Sequence, residues 1–204
     1  NGRDFLQSDG DQWLRHAVDT YLNLRAEYER VYVVGLSMGG VIASIIAARF
    51  GPDAVALCAP ALLLRRRNIV LTPLVGAFVA RWRIPYEPDS DDPVEQELQR
   101  EYYAYQWVRP ASELYRLMRR ARRELQRITA PTLTVISERD GMVPPKVADY
   151  VETHVGTSTV KRLHLTESDH IVVNDVDRET VAAEIRAWFA TTRAPATTAG
   201  ERIP

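Results

Sequence analysis

Cysteine and lysine are scarce in this chain of 204 residues. The single cysteine, Cys58, excludes an internal disulfide and any metal site built from several cysteines. Positive charge is carried almost entirely by arginine, since Lys146 and Lys161 are the only lysines. No uninterrupted apolar run approaches the roughly 20 residues of a membrane-spanning helix. The sequence also lacks the HExxH zinc motif and the GxxxxGK phosphate loop, which argues against a zinc peptidase and a P-loop nucleotide-binding protein.

The overall charge and composition are ordinary for a soluble globular protein. The formal net charge is −1, so nothing in the global balance predicts binding to nucleic acid or to an anionic membrane. Hydrophobic residues make up 46% and charged residues 26% of the chain, and its length allows one sizeable domain with its own core. No secretory signal sequence follows Asn1, and we therefore expect a cytoplasmic protein.

Short apolar runs alternate with helix-length segments over most of the chain. The predicted buried strands lie at residues 31–35, 54–58, 132–137 and 160–165. The predicted helices lie at residues 11–29, 38–50, from Pro144-Pro145 to about His154, and after Asp177. In the first helix, one face carries Trp13, Ala17, Tyr21, Leu24 and Tyr28. Strands that alternate with helices predict a doubly wound, mostly parallel sheet.

Residues 61–128 interrupt this alternation. They hold thirteen arginines and nine carboxylates, and they predict several helices (73–82, 93–108 and 110–128) and no strand. A helical insertion at this point lies above the carboxyl edge of the sheet, where open α/β sheets bind ligands, which favours a lid. The alternative is an extra helical lobe without a functional role. The predicted organisation is a hydrolase-type core at 1–60 and 129–190, a helical cap at 61–128 and a flexible tail at 191–204.

A candidate nucleophile lies between the first predicted strand and the following helix. Gly35-Leu36-Ser37-Met38-Gly39 matches G-x-S-x-G in the strand-turn-helix context that this motif requires. A sharp turn would hold Ser37 in a sparsely allowed conformation, and the flanking glycines would avoid collisions with neighbouring backbone. The amino end of the helix would favour negative charge developing at the site. The alternative is a structural serine in a tight turn.

A serine nucleophile needs a base, and four histidines compete for that role. His16 and His154 lie on predicted helices and are expected to be solvated or partly packed. His164 lies within a predicted strand, where it would occupy a face of the sheet. His170 follows the last strand in a loop at the carboxyl edge, the edge that also carries the serine, and is the predicted base.

The orienting acid is expected from another loop at the same edge. Asp140 follows the third predicted strand, with Glu138 as its nearest rival. Asp169 adjoins the histidine in sequence and could hardly reach the far side of the same imidazole. Asp175 and Asp177 are better suited to the start of the last helix. The sequence therefore favours Asp140.

Three segments together resemble a known family. They are "VVGLSMGGV", "APTLTVISERDGMVPP" and "SDHIVVNDVDRE", supported by the P-x-x-x-L pattern from Pro110 to Leu114. The order serine, aspartate, histidine is that of an α/β-hydrolase. The chain resembles the bacterial carboxylesterase and monoacylglycerol lipase group, and the resemblance implies an α/β-hydrolase fold that lacks its N-terminal strands and carries an inserted helical cap.

The resemblance also implies a chemistry. Ser37 would be the nucleophile, His170 the base and Asp140 the acid in two-step acyl transfer, without metal or organic cofactor. The substrates would be small-molecule esters of short or medium fatty acids, including monoglycerides, bound in an acyl pocket under the cap. Two alternatives remain open. One is another triad hydrolase, such as a thioesterase, lactonase, peptidase or C–C hydrolase, and the other is a hydrolase-fold protein that only binds a ligand.

The oxyanion hole is expected to be incomplete. In this fold one donor is the N–H of the residue after the nucleophile, here Met38, and the other follows a strand that this chain lacks. We expect a longer natural protein, and an isolated 204-residue chain that folds poorly or hydrolyses esters weakly. Cys58 is expected to be a packing residue. The arginine clusters of the cap are expected to be solvated, or alternatively to hold it near an anionic lipid surface.

Overall fold

Four parallel strands form the centre of the structure. A computed structural model describes residues 2–88 and 91–192. The strands lie side by side in the order β1 (Tyr32–Leu36), β2 (Ala54–Cys58), β5 (Thr132–Ser137) and β6 (Val160–Leu165). A separate antiparallel pair consists of β3 (Trp82–Arg83) and β4 (Tyr105–Gln106). The parallel sheet with flanking helices confirms the predicted α/β class.

Eight α-helices are described around this sheet. They are α1 (Gly2–Gln7), α2 (Gly10–Glu27), α3 (Met38–Phe50), α4 (Thr72–Val75), α5 (Pro93–Tyr103), α6 (Val108–Glu124), α7 (Val147–His154) and α8 (Arg178–Thr191). Short 3-10 turns lie at Arg67–Leu71 and Leu125–Arg127. None of the helices in the described ranges is long and apolar enough to cross a membrane. The predicted tail falls almost wholly on residues 193–204, which lie outside the described residues.

The two central strands, β2 and β5, are buried along their whole length, as their continuous apolar sequences predict. The same prediction is wrong for β1, an edge strand in which Val34 is 48% exposed. Because side chains alternate along a strand, Val55 and Leu57 of β2 pack with α3, α6 and α7. Ala54, Ala56 and Cys58 point to the opposite face, where they pack with α8. Strand β2 therefore contributes side chains to the hydrophobic clusters on both faces of the sheet.

Helix α2 begins where the sequence indicates and is less buried than predicted. Asp9 and Gln12 form a reciprocal capping box at its start. On the predicted apolar face Tyr21 is buried, whereas Leu24 is exposed. Tyr28, which was expected to continue this face, is the C-cap residue after the last helical residue and is also exposed. The reason is that the described structure leaves an open apolar groove between α2 and β1, the edge strand of the sheet.

The segment between β2 and β5 contains a strand pair that the sequence did not indicate. The helix expected at 73–82 is reduced to the four residues of α4, and the helix expected at 93–108 ends at Tyr103. The chain then forms β4, which pairs with β3, so the prediction of no strand is wrong. Two-residue strands are too short to show a period of two, and their pairing partner lies more than twenty residues away.

Candidate active site

Ser37 lies at the junction of β1 and α3 in a strained conformation. Its φ of 54° and ψ of −114° lie in a region that non-glycine residues rarely occupy. The backbone holds it there on both sides. The Ser37 N–H donates to the carbonyl of Cys58 at 2.9 Å, and the Ser37 carbonyl accepts from the N–H of Ala61 at 3.0 Å. The chain that leaves β2 therefore fixes the turn.

The glycines of this turn have different roles. A Cβ on Gly35 would lie 2.2 Å from the carbonyl oxygen of Gly39, so only glycine fits there. A Cβ on Gly40, outside the five-residue motif, would lie 2.9 Å from Pro60. A Cβ on Gly39 would meet nothing within 4 Å. The prediction that both flanking positions need glycine to avoid a collision with backbone is therefore confirmed for Gly35 and wrong for Gly39. The second position at which a Cβ would collide is Gly40.

His170 reaches the serine from the loop after β6. Its Nε2 lies 2.8 Å from the Ser37 hydroxyl oxygen, and its ring is largely buried. The other histidines lie elsewhere. The His154 ring bonds the carbonyl of Tyr150 within its own helix, and the His164 ring lies 3.2 Å from an oxygen of Glu138. Of the sequence candidates, the structure therefore brings His170 to the serine.

Asp140 completes the hydrogen-bonded chain from the loop after β5. Its two carboxylate oxygens lie 2.9 and 3.0 Å from Nδ1 of His170, and it is almost fully buried. Its Oδ1 also accepts from the N–H groups of Met142 and Val143, at 2.7 and 2.8 Å. Burial alone would raise the pKa of Asp140, but the bonds from His170, Val143 and Met142 outweigh it and hold the pKa below its ordinary value.

Three carboxylates other than Asp140 hold the loop that carries His170. Asp169 accepts from the backbone N–H of His170 at 2.7 Å, and Asp175 accepts from the N–H of Asp169 at 2.6 Å. Asp177 accepts both the N–H and the hydroxyl of Ser168, at 3.1 and 2.8 Å. Asp177 lies at the N-cap of α8, as predicted for a helix-start residue, but its side chain makes no capping hydrogen bond to that helix. The carboxylates of Asp175 and Asp177 instead hold the histidine loop.

Two supports of the site were missed by sequence reasoning. The Arg65 guanidinium donates to the carbonyls of Asp140 at 2.7 Å and Glu138 at 3.4 Å. The buried Ser137 at the end of β5 donates its hydroxyl to the carbonyl of Ser168, which ties the acid strand to the histidine loop. Both are single residues that contact distant backbone, so no local pattern marks them. The available signal in the sequence was the position of each residue at the end of a loop, next to a segment that carries a predicted triad residue.

An apolar groove of about 480 Å³ lies between the cap segment and the acid loop. Its lining includes Leu64, Ile69, Val75, Trp82, Trp107 and Met142. No Asp or Glu is among the residues that line it. Within the described ranges, no group of three His, Cys, Asp or Glu side chains is placed to hold a metal ion. Cys58 is fully buried, and burial raises the pKa of its thiol to about 12.

Comparisons with known proteins agree with this fold. The family model described as "Serine aminopeptidase, S33" (Hydrolase_4) matches residues 4–177. A thermostable monoacylglycerol lipase from Bacillus sp. (strain H-257) is 26% identical over 189 residues, which cover 92% of this chain and 73% of that protein.

Solved structures show the same architecture. A structure of the metagenome-derived lipolytic enzymes LipS and LipT matches with a TM-score of 0.80 at 20% identity, over 94% of this chain and 77% of the other. The monoacylglycerol lipase of Paleococcus ferrophilus matches with a TM-score of 0.71 at 17% identity, over 91% and 76%. Since the family model spans most of the sequence, the chain belongs to the serine aminopeptidase S33 (Hydrolase_4) family and has the α/β-hydrolase fold.

Proposed function

We propose that this protein is a serine hydrolase that cleaves carboxylic esters of short- and medium-chain fatty acids, monoglycerides among them. The observation that carries the proposal is the chain of hydrogen bonds from Ser37 through His170 to Asp140 at one edge of the sheet. Relatives named as monoacylglycerol lipases support the ester as the bond that is cleaved.

The proposed mechanism is two-step acyl transfer. Ser37 attacks the ester carbonyl while Nε2 of His170 accepts its proton. Asp140 fixes the imidazole through Nδ1 and stabilises the cation that forms, and its low pKa keeps it ionised for this task. His170 then protonates the departing alcohol, and water repeats the sequence on the acyl-enzyme.

The oxyanion of the tetrahedral intermediate would lie at the amino end of α3. Met38 is the first residue of that helix, and its N–H is among those without a partner inside the helix. We propose this N–H as one oxyanion donor. The aligned peptide dipoles of α3 favour negative charge at the same point.

The apolar groove supports an acyl chain as the bound part of the substrate. Met142, two residues after Asp140, lies in its wall, so the groove extends from the acid loop into the cap. Transfer of a hydrocarbon chain from water into such a lining is favourable by about 0.8 kcal/mol per methylene. We therefore propose this groove as the acyl-binding site.

A series of p-nitrophenyl esters of rising chain length tests this function. We expect hydrolysis by the wild type, and a loss of about 10³-fold or more in kcat for Ser37→Ala. Ser44→Ala is the matched control, since this buried serine of α3 bonds only its own helix. Equal activity of Ser37→Ala and wild type would contradict the nucleophile, and a flat response to chain length would contradict the acyl groove.

The family description favours one second candidate, an aminopeptidase. Such an enzyme must bind the ammonium group of its substrate, for which a carboxylate is the usual partner. The groove wall offers Arg66 and no carboxylate, which is unfavourable for an ammonium group. Hydrolysis of amino-acid p-nitroanilides in preference to the esters would favour the peptidase.

A further inference from the structure

The proposed acyl groove carries a single charged side chain in its wall. Arg66 is the one charged residue among the described residues that line the groove, and Asn68, Thr72 and Gln106 are its polar residues. The rest of the lining is apolar. A guanidinium stays ionised in proteins, so the groove holds a fixed positive charge beside an apolar wall. Such a groove discriminates between substrates by their charge as well as by their length.

The position of Arg66 is fixed by the residue before it. The N–H of Arg65 donates to the carbonyl of Met142 at 2.9 Å, and its guanidinium donates to the carbonyl of Asp140 at 2.7 Å. The backbone at Arg66 is extended, with φ of −80° and ψ of 108°. Successive side chains of an extended chain point in opposite directions, so Leu64 and Arg66 line the groove while Arg65 meets the acid loop. Arg66 therefore lies in the part of the groove that adjoins the acid loop.

Within the described ranges, no carboxylate of the protein forms an ion pair with Arg66. Residues 61–86 contain neither Asp nor Glu. The carboxylate of the acid loop, Asp140, already bonds His170 and two backbone N–H groups. Because the side chain of Arg66 is also exposed, its N–H donors are accessible to a ligand in the groove.

We propose that Arg66 is a specificity-determining residue that binds the terminal carboxylate of a dicarboxylic acyl chain. The preferred substrates are then monoesters of dicarboxylic acids. Their methylenes contact the apolar lining, and the guanidinium donates two N–H bonds to the carboxylate. Asn68 carries a further amide donor in the same wall. The inference rests on the proposed function, because it names the substrate class of the same groove.

The alternative role of Arg66 is purely structural. Long charged side chains often cover apolar surface with their methylenes and keep the charged end in water. In that case a carboxylate on the substrate would lose hydration in an apolar groove and gain no bond in return. Neutral esters would then be preferred to anionic esters of equal length. The two roles of Arg66 therefore predict opposite orders of kcat/KM.

Steady-state kinetics with matched esters tests the proposal. The anionic substrates are the p-nitrophenyl monoesters of adipic, suberic and sebacic acid, and each neutral partner is the methyl p-nitrophenyl diester of the same acid. For at least one acid, we expect the wild type to favour the monoester in kcat/KM. Arg66→Gln should lower that preference about tenfold or more and leave the neutral ester unaffected. Arg67→Gln is the matched control, since it removes the same charge from an exposed neighbour that does not line the groove.

Two outcomes would overturn the role of Arg66 and leave the proposed function intact. One is hydrolysis of the neutral esters with no preference for any monoester, and the other is an equal loss of preference in Arg66→Gln and Arg67→Gln. Either result would show that the guanidinium of Arg66 does not bind the substrate carboxylate.

A binding measurement separates the two proposals if no ester is hydrolysed. The probe is monomethyl suberate, titrated into Ser37→Ala by calorimetry. We expect Ser37→Ala/Arg66→Gln to bind it about tenfold more weakly, and Ser37→Ala/Arg67→Gln to bind it as Ser37→Ala does. Binding in this order without any hydrolysis by the wild type would contradict the enzymatic proposal and support the carboxylate site. An absence of both binding and hydrolysis would overturn both proposals.

Discussion

The guanidinium of Arg65 donates a 2.7 Å hydrogen bond to the backbone carbonyl of Asp140. A side chain at the start of the cap segment thus holds the loop whose carboxylate bonds His170. Because the bond is made to the backbone, it fixes the position of Asp140 and leaves the Asp140 carboxylate free to bond the imidazole of His170. Arg65 is therefore a positioning residue in the proposed mechanism.

Arg65→Ala should lower kcat for p-nitrophenyl butyrate by about 10- to 100-fold, with little change in KM, because a displaced acid misaligns the imidazole. Arg67→Ala is the control, as this neighbouring arginine is exposed and has no hydrogen bond to the acid loop. Comparable losses in the two variants would show that general charge, and not the bond to the loop, matters.

Asp177→Ala should weaken the attachment of the histidine loop. The carboxylate accepts two hydrogen bonds from the fully buried Ser168, and its removal leaves both donors without that acceptor. We expect a loss of about 1–3 kcal/mol in the free energy of unfolding and a fall in kcat. Glu179→Ala, at an exposed carboxylate in the first turn of α8, should change neither. Urea unfolding and steady-state kinetics would measure both effects.

Ala59→Gly should cost less stability than a glycine substitution elsewhere in the core. Ala59 has a φ of 40°, which is unfavourable for any residue with a Cβ by about 1–2 kcal/mol. Ala47, equally buried within α3, has an ordinary helical conformation, and Ala47→Gly should cost about 1 kcal/mol or more. A smaller loss for Ala47→Gly than for Ala59→Gly in urea unfolding would disprove backbone strain at Ala59.

The stability of the fold should depend on Asp140 in acid. Because its pKa is lowered in the folded protein, its ionised form stabilises the fold above about pH 4, the range in which an unfolded aspartate is ionised. That contribution is lost as the pH falls through the lower folded-state pKa. Asp140→Asn should therefore lose less stability than the wild type between about pH 5 and pH 3.

Urea unfolding at several pH values would measure this difference. The control is Asp19→Asn, at an exposed aspartate of α2, which should follow the wild-type curve. Parallel curves for the wild type and Asp140→Asn would contradict a lowered pKa of Asp140 in the folded protein.

The sequence was sufficient for the residues that the sheet itself brings together. Ser37, Asp140 and His170 each follow a strand, and parallel strands place their carboxyl ends at one edge, so their proximity follows from topology. The roles of Asp177 and Arg65 depend on which distant backbone each side chain meets. Loop conformation decides such contacts, and a pattern of residue types does not contain it.

In the cap, too, the sequence indicates what local periodicity determines and does not indicate what contacts between distant residues determine. Helix α6 has a strong polar and apolar periodicity over seventeen residues, and a helix was expected there. The β3–β4 pair has two residues in each strand and is held by contacts between distant parts of the chain. The exposure of Leu24 likewise depends on the absence of a strand beyond β1 among the described residues, which no helical pattern can indicate.

The backbone of Ser37 is bonded to the chain on both sides of Pro60, at Cys58 and at Ala61. The cap segment begins at Ala61, so the hydrogen bond from Ala61 to Ser37 also fixes the first residue of that segment. A movement of the cap that includes Ala61 must therefore strain or break this bond. The amide hydrogens of Ser37 and Ala61 should therefore exchange with solvent together, and their exchange rate would report opening of the cap at Ser37.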